Sequence, residues 1–220
     1  MPTEANIELR ETDDGSTTLF SSEYNSCYHS THGALQESKH VFIENGLNGF
    51  SNRKEIKILE IGIGTGLNAL LTMEWCNKHK IKAVYVGYEP YPLTEEWFMQ
   101  LHFNETLNPW IKPFHQADWE TQVAFSPYFT FEKRKTTWPD AKNIDVYDLI
   151  YFDAFGPDAH PEMWELKVLR ACAEAMKPQA VWVTYSAKGV VRRNLESLGL
   201  VMEKLPGPPF KRHMLRGFMQ

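Results

Sequence analysis

The chain has 220 residues, 43% of them hydrophobic and 13% aromatic, with a formal net charge of −5. That length fits one domain, or one domain with a small appendage, and that composition excludes a disordered chain. No apolar run approaches the ~18–20 residues needed to cross a bilayer, and Met1-Pro2-Thr3-Glu4 lacks the basic start and apolar stretch of a secretory leader.

Residues 1–50 read as a β-rich, turn-rich N-terminal appendage and residues 51–220 as the main domain. Asp13-Asp14-Gly15 is a turn signal between short strands. Thr17 to Phe20 predicts a strand, and His40 to Ile43 lies in or beside a further element. From residue 56 strands and helices alternate. Ile56-Lys57-Ile58-Leu59-Glu60-Ile61 is a β-branched, apolar strand, and residues 67–80 predict a helix with Leu67, Leu70, Leu71 and Trp75 on one face. Ala83 to Tyr88 predicts the next strand. Thr94 is a candidate cap for a helix running to about Phe103, with Glu95 and Glu96 in its first turn. Residues 129–137 predict a third strand. Leu149-Ile150-Tyr151-Phe152-Asp153 is the continuous apolar run of a strand buried on both faces. A helix over 163–176 stops before Pro178, a strand follows over 180–185, and a helix over 188–198 closes at Gly199. The segments 200–205 and 214–219, around Pro206-Gly207-Pro208-Pro209, read as a hairpin of antiparallel edge strands. The total is an α/β, Rossmann-like fold: a mostly parallel, seven-stranded sheet with helices on both faces.

Charge is unevenly spread. Residues 1–165 hold 13 Lys+Arg and 25 Asp+Glu, whereas residues 166–220 hold 10 Lys+Arg and 3 Asp+Glu. A basic final quarter on an acidic body can dock phosphates locally, although a merely solvated basic face has the same composition. Cys27, Cys76 and Cys172 are odd in number and far apart, which predicts idle thiols in a reducing cytoplasm. His29 and His32 have no Cys or acid at zinc-ligand spacing, so no metal is expected.

The chemistry gathers at two loops. Glu60-Ile61-Gly62-Ile63-Gly64-Thr65-Gly66 joins a strand to a helix, where glycines let a ligand approach the backbone and the helix offers free N–H groups. Glu89 ends the next strand, 23 residues after Gly66, where a carboxylate can accept ribose hydroxyls. NAD(P) and S-adenosylmethionine both fit this pair. The dinucleotide fingerprint wants Gly or Ala where Leu67 stands, and Glu60 would repel a pyrophosphate while suiting the ammonium of a methionine moiety. S-adenosylmethionine is the better match; an NAD-dependent oxidoreductase and a ligand-free turn are the alternatives. The second loop is Asp153-Ala154-Phe155-Gly156-Pro157, at the carboxyl edge of the sheet where open α/β folds bind ligands. An acid, an aromatic and a proline in that place resemble the corresponding loop of amine methyltransferases, although Asp153 as a turn cap has the same signature.

Further segments share one pattern: Tyr28-His29-Ser30 with His40-Val41-Phe42-Ile43; Leu67-Asn68; Tyr88-Glu89-Pro90-Tyr91-Pro92; Pro161-Glu162-Met163-Trp164; Tyr185-Ser186-Ala187 with Val191-Arg192-Arg193; and Gly207-Pro208 with Lys211-Arg212-His213-Met214. With the two loops they run from residue 28 to 216, and together they resemble the methyltransferase-domain family of MnmC, including its free-standing MnmD-type members. The resemblance implies a class I methyltransferase fold. It implies S-adenosyl-L-methionine as cofactor, without metal or flavin. It implies methylation of 5-aminomethyl(-2-thio)uridine to 5-methylaminomethyl(-2-thio)uridine at the wobble position of transfer RNA. The two-domain enzymes carry an oxidase that uncovers the amine; with the sequence ending at Gln220, coupling to a separate amine-generating enzyme is expected. Carried over residue by residue, Asp153 and Phe155 are the catalytic candidates, and Glu60, Gly62, Gly64, Gly66, Asn68 and Glu89 the cofactor candidates. His29, Ser30, Pro157, Arg192, Arg193, Lys211 and Arg212 are candidates on the substrate side. The family's acid after the third strand is missing from Lys135-Thr136-Thr137-Trp138-Pro139-Asp140; Asp140 is the expected substitute for an adenine contact, with Asp118 its rival. Methylation of a small-molecule or protein amine is the competing activity, and it would not need the basic tail.

Overall fold

The computed structural model describes residues 7–140 and 145–220; the reading of Met1-Pro2-Thr3-Glu4 as unlike a secretory leader lies outside them. The chain opens with a three-stranded antiparallel sheet of β1 (Ile7–Glu11), β2 (Thr17–Ser21) and β3 (Ser26–Cys27). Asp14 makes the first turn. It accepts the backbone N–H of Ser16 at 3.1 Å and also that of Gln36 at 3.0 Å, so one side chain closes a hairpin and holds the start of the next helix.

That helix corrects the β-rich expectation for the first 50 residues. Strands end at Cys27; α1 (Ala34–Ser38) runs into a wide helical turn over Lys39–Glu44 and a tight one over Leu47–Phe50. Leu35, Val41, Phe42, Leu47 and Phe50 supply helical spacing, and they are buried in the same hydrophobic cluster as Ile58 and Tyr85 of the main sheet. The short periodicity was easy to miss because His40 and Glu44 interrupt it.

The main sheet is built from β4 (Glu55–Ile61), β5 (Lys82–Tyr88), β6 (Gln122–Ser126), β7 (Phe129–Arg134), β8 (Tyr147–Phe152), β9 (Met176–Thr184), β10 (Leu200–Pro206) and β11 (His213–Met219). Its order is β10-β11-β9-β8-β4-β5-β7-β6, so there are eight strands where the sequence predicts seven. The extra one, β6, pairs antiparallel with β7 at the edge, and only half of its side chains are covered. The inner pairs β9–β8, β8–β4, β4–β5 and β5–β7 are parallel, and the closing hairpin of β10 and β11 is antiparallel as expected.

Helices α2 (Leu67–His79), α3 (Glu95–Phe98), α4 (Asn108–Gln116), α5 (Leu166–Glu174) and α6 (Gly189–Ser197) connect the strands. Two boundaries and one further helix differ from expectation. The helix after Thr94 stops at Phe98. A separate tight turn over Pro161–Trp164 precedes α5. Helix α4 is not among the expected elements: Pro109 in its first turn and Pro113 inside it mask the helical spacing of the buried Ile111 and Phe114.

Register sets the site. Ile61 pairs with Tyr88 on one side and with Phe152 on the other. The next residue on each strand is therefore level with its neighbours: Gly62, Glu89 and Asp153. Backbone hydrogen bonds hold them there, from Asp153 N–H to Ile61 C=O at 2.9 Å and from Gly62 N–H to Tyr88 C=O at 3.0 Å. The chain leaves β4 toward β5 on one side and returns through β8 toward β9 on the other, so the crevice beyond these three residues lies at the reversal point of the strand order.

Candidate active site

A cavity of about 260 Å³ opens at this crevice, close to the lower end of the ~300–1,000 Å³ range of small-ligand pockets. Gly62, Gly64, Glu89, Asp153 and Phe155, all candidates from the sequence, line it. Gly62 and Gly64 have φ of 90° and 51°, the left-handed region that favours glycine. A Cβ on Gly62 would come within 2.8 Å of the Asp153 carbonyl oxygen, so the first glycine is what lets the two loops touch.

Glu89 is locked by its own backbone surroundings. One carboxylate oxygen accepts Gly64 N–H at 3.0 Å and the other accepts Tyr91 N–H at 2.9 Å. Burial pushes its pKa up to about 7 in spite of both bonds. Each oxygen keeps a lone pair for a hydroxyl donor, and such donors favour the ionised form.

Beneath the glycine loop lies a buried acid pair. Glu60 has no exposed surface, and burial pushes it up to about 8. Asn68, on the first turn of α2, donates from its amide nitrogen to Glu60 at 2.9 Å and to Asp153 at 2.7 Å. Asp153 is raised well above the ordinary carboxyl range, first by burial and then by Glu60. The expectation that Glu60 faces a ligand directly is corrected: Glu60 does not line the cavity and reaches it through Asn68 and Asp153. Among the described residues, the second Glu60 oxygen and the Asn68 carbonyl oxygen have no hydrogen-bond partner.

The N-terminal segment roofs the cavity. Tyr24 stacks on Phe155 with ring centroids 4.5 Å apart, and Tyr28 meets the same ring edge-on at 4.9 Å. Tyr185, at the end of β9, donates to the Ala154 carbonyl at 2.9 Å and closes another wall. Trp138 and Thr137 line the side where the adenine contact was expected. Tyr24, Tyr28 and Tyr185 are not among the candidates the sequence offers. Tyr28 and Tyr185 stand inside the resemblance segments, which was the available signal; Tyr24 carried none.

Other expectations fall elsewhere. Gly66 caps α2 in the left-handed conformation, and a Cβ there would run into the Phe114 ring. Asp140 does not line the cavity; it lies near enough to Tyr88 to add to the burial that raises that hydroxyl. Asp118 is the neighbour of Lys133, whose ammonium donates to the Phe114 and His115 carbonyls. His29 is buried, bonded through Nε2 to the Thr65 hydroxyl at 2.7 Å, and burial lowers its pKa to about 4. It braces the glycine loop from behind and has no surface in the cavity. Ser30 donates its N–H to Glu37 and accepts the N–H of His32. Pro157 lies in the turn after Asp153 without lining the cavity.

The predicted cations separate into two groups. Arg192 and Arg193 sit on the exposed face of α6, where Arg192 pairs with Glu196 at 2.8 Å. Lys211 and Arg212 instead line a shallow groove of about 440 Å³ with Lys188, Lys204 and His213, and Tyr185 belongs to both this groove and the cavity. Lys211 pairs with Glu37 and lies 4.3 Å over the Tyr185 ring. Cys27, Cys76 and Cys172 are free thiols. Among the described residues no group of three or more His, Cys, Asp or Glu side chains could hold a metal, and no helix is long and apolar enough to cross a membrane.

A family model described as S-adenosyl-L-methionine-dependent methyltransferase matches residues 130–220. The chain is 32% identical over 214 residues to the tRNA 5-methylaminomethyl-2-thiouridine biosynthesis bifunctional protein MnmC of Cupriavidus metallidurans, covering 90% of this chain and 32% of that protein. The same-named protein of Ralstonia nicotianae is 31% identical over 212 residues, again covering 90% of this chain and 32% of the relative. The chain thus spans about a third of the length of the curated relatives it matches. Among solved structures, MNMC2 from Aquifex aeolicus superposes with a TM-score of 0.83 at 25% identity, covering 98% of this chain and 71% of that one. DesVI of Streptomyces venezuelae, at 10% identity and a TM-score of 0.51, shares the fold.

Proposed function

We propose that this chain belongs to the S-adenosyl-L-methionine-dependent methyltransferase family that includes the methyltransferase portion of MnmC, to which it is similar, and that it methylates the amine of 5-aminomethyl(-2-thio)uridine at the wobble position of transfer RNA. The observation that carries this reading is the meeting of Glu89, the Gly62–Gly64 turn and the Asn68-bound Asp153 at one cavity.

The residues fit the cofactor. Gly62 and Gly64 leave room for a ligand against the backbone, and Glu89 offers free lone pairs to ribose hydroxyls. When bound, S-adenosyl-L-methionine supplies a methyl group activated by its sulfonium. Asp153 spends one oxygen on Asn68, which leaves the other to accept a hydrogen bond from the substrate amine. An alkyl amine is mostly protonated near neutral pH, as lysine is. Asp153, its proton affinity raised by burial and Glu60, is suited to take up that proton and leave the nitrogen lone pair free. Orientation of the amine supplies the larger share of the acceleration, up to ~7–11 kcal/mol against 10²–10⁴-fold for proton transfer.

The aromatic walls of Tyr24, Tyr28 and Phe155 suit a flat uracil ring, which supports a nucleobase substrate over an aliphatic amine. The basic groove that shares Tyr185 supports a polyanion, and therefore transfer RNA over a small molecule. On this reading the protein works in the cytoplasm, and a separate enzyme activity uncovers the amine it methylates. The test is mass spectrometry of wobble nucleosides after incubating unmethylated transfer RNA with the protein and S-adenosyl-L-methionine. The expected product carries one added methyl on the aminomethyl nitrogen; its absence, with cofactor binding intact, refutes the proposed substrate.

A further inference from the structure

The hairpin joining β10 to β11 ends in a tight loop. Gly207 N–H bonds the Arg212 carbonyl at 3.1 Å and Lys211 N–H bonds the Pro208 carbonyl at 3.0 Å, so the tip is fixed by its own backbone. Phe210 stands at that tip with 77% of its surface exposed, the most exposed large apolar side chain among the described residues. Its backbone sits at φ 67°, a conformation a bulky residue rarely adopts. Its ring is not loose: it stacks on the His32 imidazole with centroids 4.0 Å apart, and His32 is held from behind by Asp13 at 2.9 Å. Two rings from opposite ends of the chain thus form one rigid step with an open face.

The step stands beside the basic groove. Two of the groove's cations are already paired, Lys188 with Asp158 and Lys211 with Glu37. Lys204 and Arg212 have no ionic partner among the described residues, which leaves them for an external anion. Going outward from Asp153, the molecule presents an aromatic cavity, then Tyr185, then a cationic groove, then an exposed aromatic step. A single nucleic-acid strand presents the complementary series of base, phosphate and next base.

We propose that Phe210, backed by His32, is a stacking platform for an unpaired nucleobase flanking the target uridine, and that Lys204 and Arg212 hold the phosphate between them. This rests on the transfer RNA reading above and adds to it a subsite for a neighbouring nucleotide. Of the four cations expected from the sequence it keeps Arg212 for the phosphate, and it adds Lys204. Loop bases of RNA are unstacked and so free to splay onto a protein ring.

The test measures binding of unmethylated transfer RNA to the intact protein at fixed salt, by fluorescence anisotropy. Phe210→Ala should weaken binding about 5- to 150-fold, the range of one lost base–aromatic stack, and Phe210→Trp should restore it. Arg212→Ala should lower the salt slope by about one unit, while Lys167→Ala, at an exposed position on α5, changes neither affinity nor slope. The melting temperature and the affinity for S-adenosylhomocysteine of each variant, matching the parent's, show that the fold is intact. Transfer RNA that is methylated by the parent but bound within twofold as well by Phe210→Ala overturns the platform alone. A parent that neither binds nor methylates transfer RNA overturns the platform and the proposed substrate together.

Discussion

Asn68 donates to Asp153 at 2.7 Å through the same amide nitrogen that serves Glu60. One neutral side chain thus separates two buried acids and aims one of them into the cavity. Replacing it with Ala removes a hydrogen bond to a carboxyl, a contact worth about 1.5–3 kcal/mol when charged. Asn68→Ala should therefore lower kcat about 10- to 100-fold. Asn68→Asp should be worse, because it puts a third acid between Glu60 and Asp153. Equal kcat for parent and Asn68→Ala in a steady-state methyl-transfer assay would remove Asn68 from the orientation of Asp153.

Asp153→Asn keeps the side-chain shape and loses the proton acceptor. Turnover should fall by about 10²–10⁴-fold, while calorimetry with S-adenosylhomocysteine gives an affinity near the parent's. A large loss of cofactor affinity instead would assign Asp153 to the cofactor.

Glu89 holds a proton up to about pH 7 in the free protein. Ribose hydroxyls donate to its ionised form, so cofactor binding should expel that proton. Affinity for S-adenosylhomocysteine should accordingly rise with pH below 7, by up to about tenfold per unit, and level off above it. Glu89→Gln should flatten the profile. Calorimetry between pH 6 and 8 decides the matter, and a flat parent profile refutes this role.

Glu60 is raised by burial from 4.5 to about 8. A folded-state pKa above the unfolded one means that the folded state binds the extra proton. That stability is fully present below pH 4.5 and lost as pH rises through 8. The parent should melt lower at pH 9 than at pH 6.5, and Glu60→Gln should remove much of the difference. The change should amount to several degrees, at roughly 2–4 °C per kcal/mol for a chain of this size. His29 and His115, both held near 4, stay neutral across that window. Parallel melting curves for the two proteins would show that Glu60 is ionised in the fold.

Gly62 combines φ 90° with a virtual Cβ at 2.8 Å from the Asp153 carbonyl. Gly62→Ala must strain the turn or push the loops apart, a cost of about 1–3 kcal/mol. It should lower the melting temperature and weaken cofactor binding, both measurable by thermal shift with and without S-adenosylhomocysteine. A variant as stable as the parent would mean that the loops move apart without cost.

The parts legible in the chain order were those whose signal is local. A β-branched run ending in Gly62-Ile63-Gly64 needs no partner to announce a turn, and Glu89 and Asp153 each follow an apolar strand directly. The helical stretch 34–50 was illegible because its buried apolar face is split over three short turns, and the edge strand β6 because its side chains are only partly covered. What no local pattern contains is register: Ile61 set against both Tyr88 and Phe152 is what brings Gly62, Glu89 and Asp153 level. Nor does any spacing foretell that Lys211 will meet Glu37 across 174 residues, that Tyr24 will stack on Phe155, or that Phe210 will rest on His32. Those pairings depend on which surfaces remain uncovered once strands and helices have packed, and burial of that kind is a property of the folded chain as a whole.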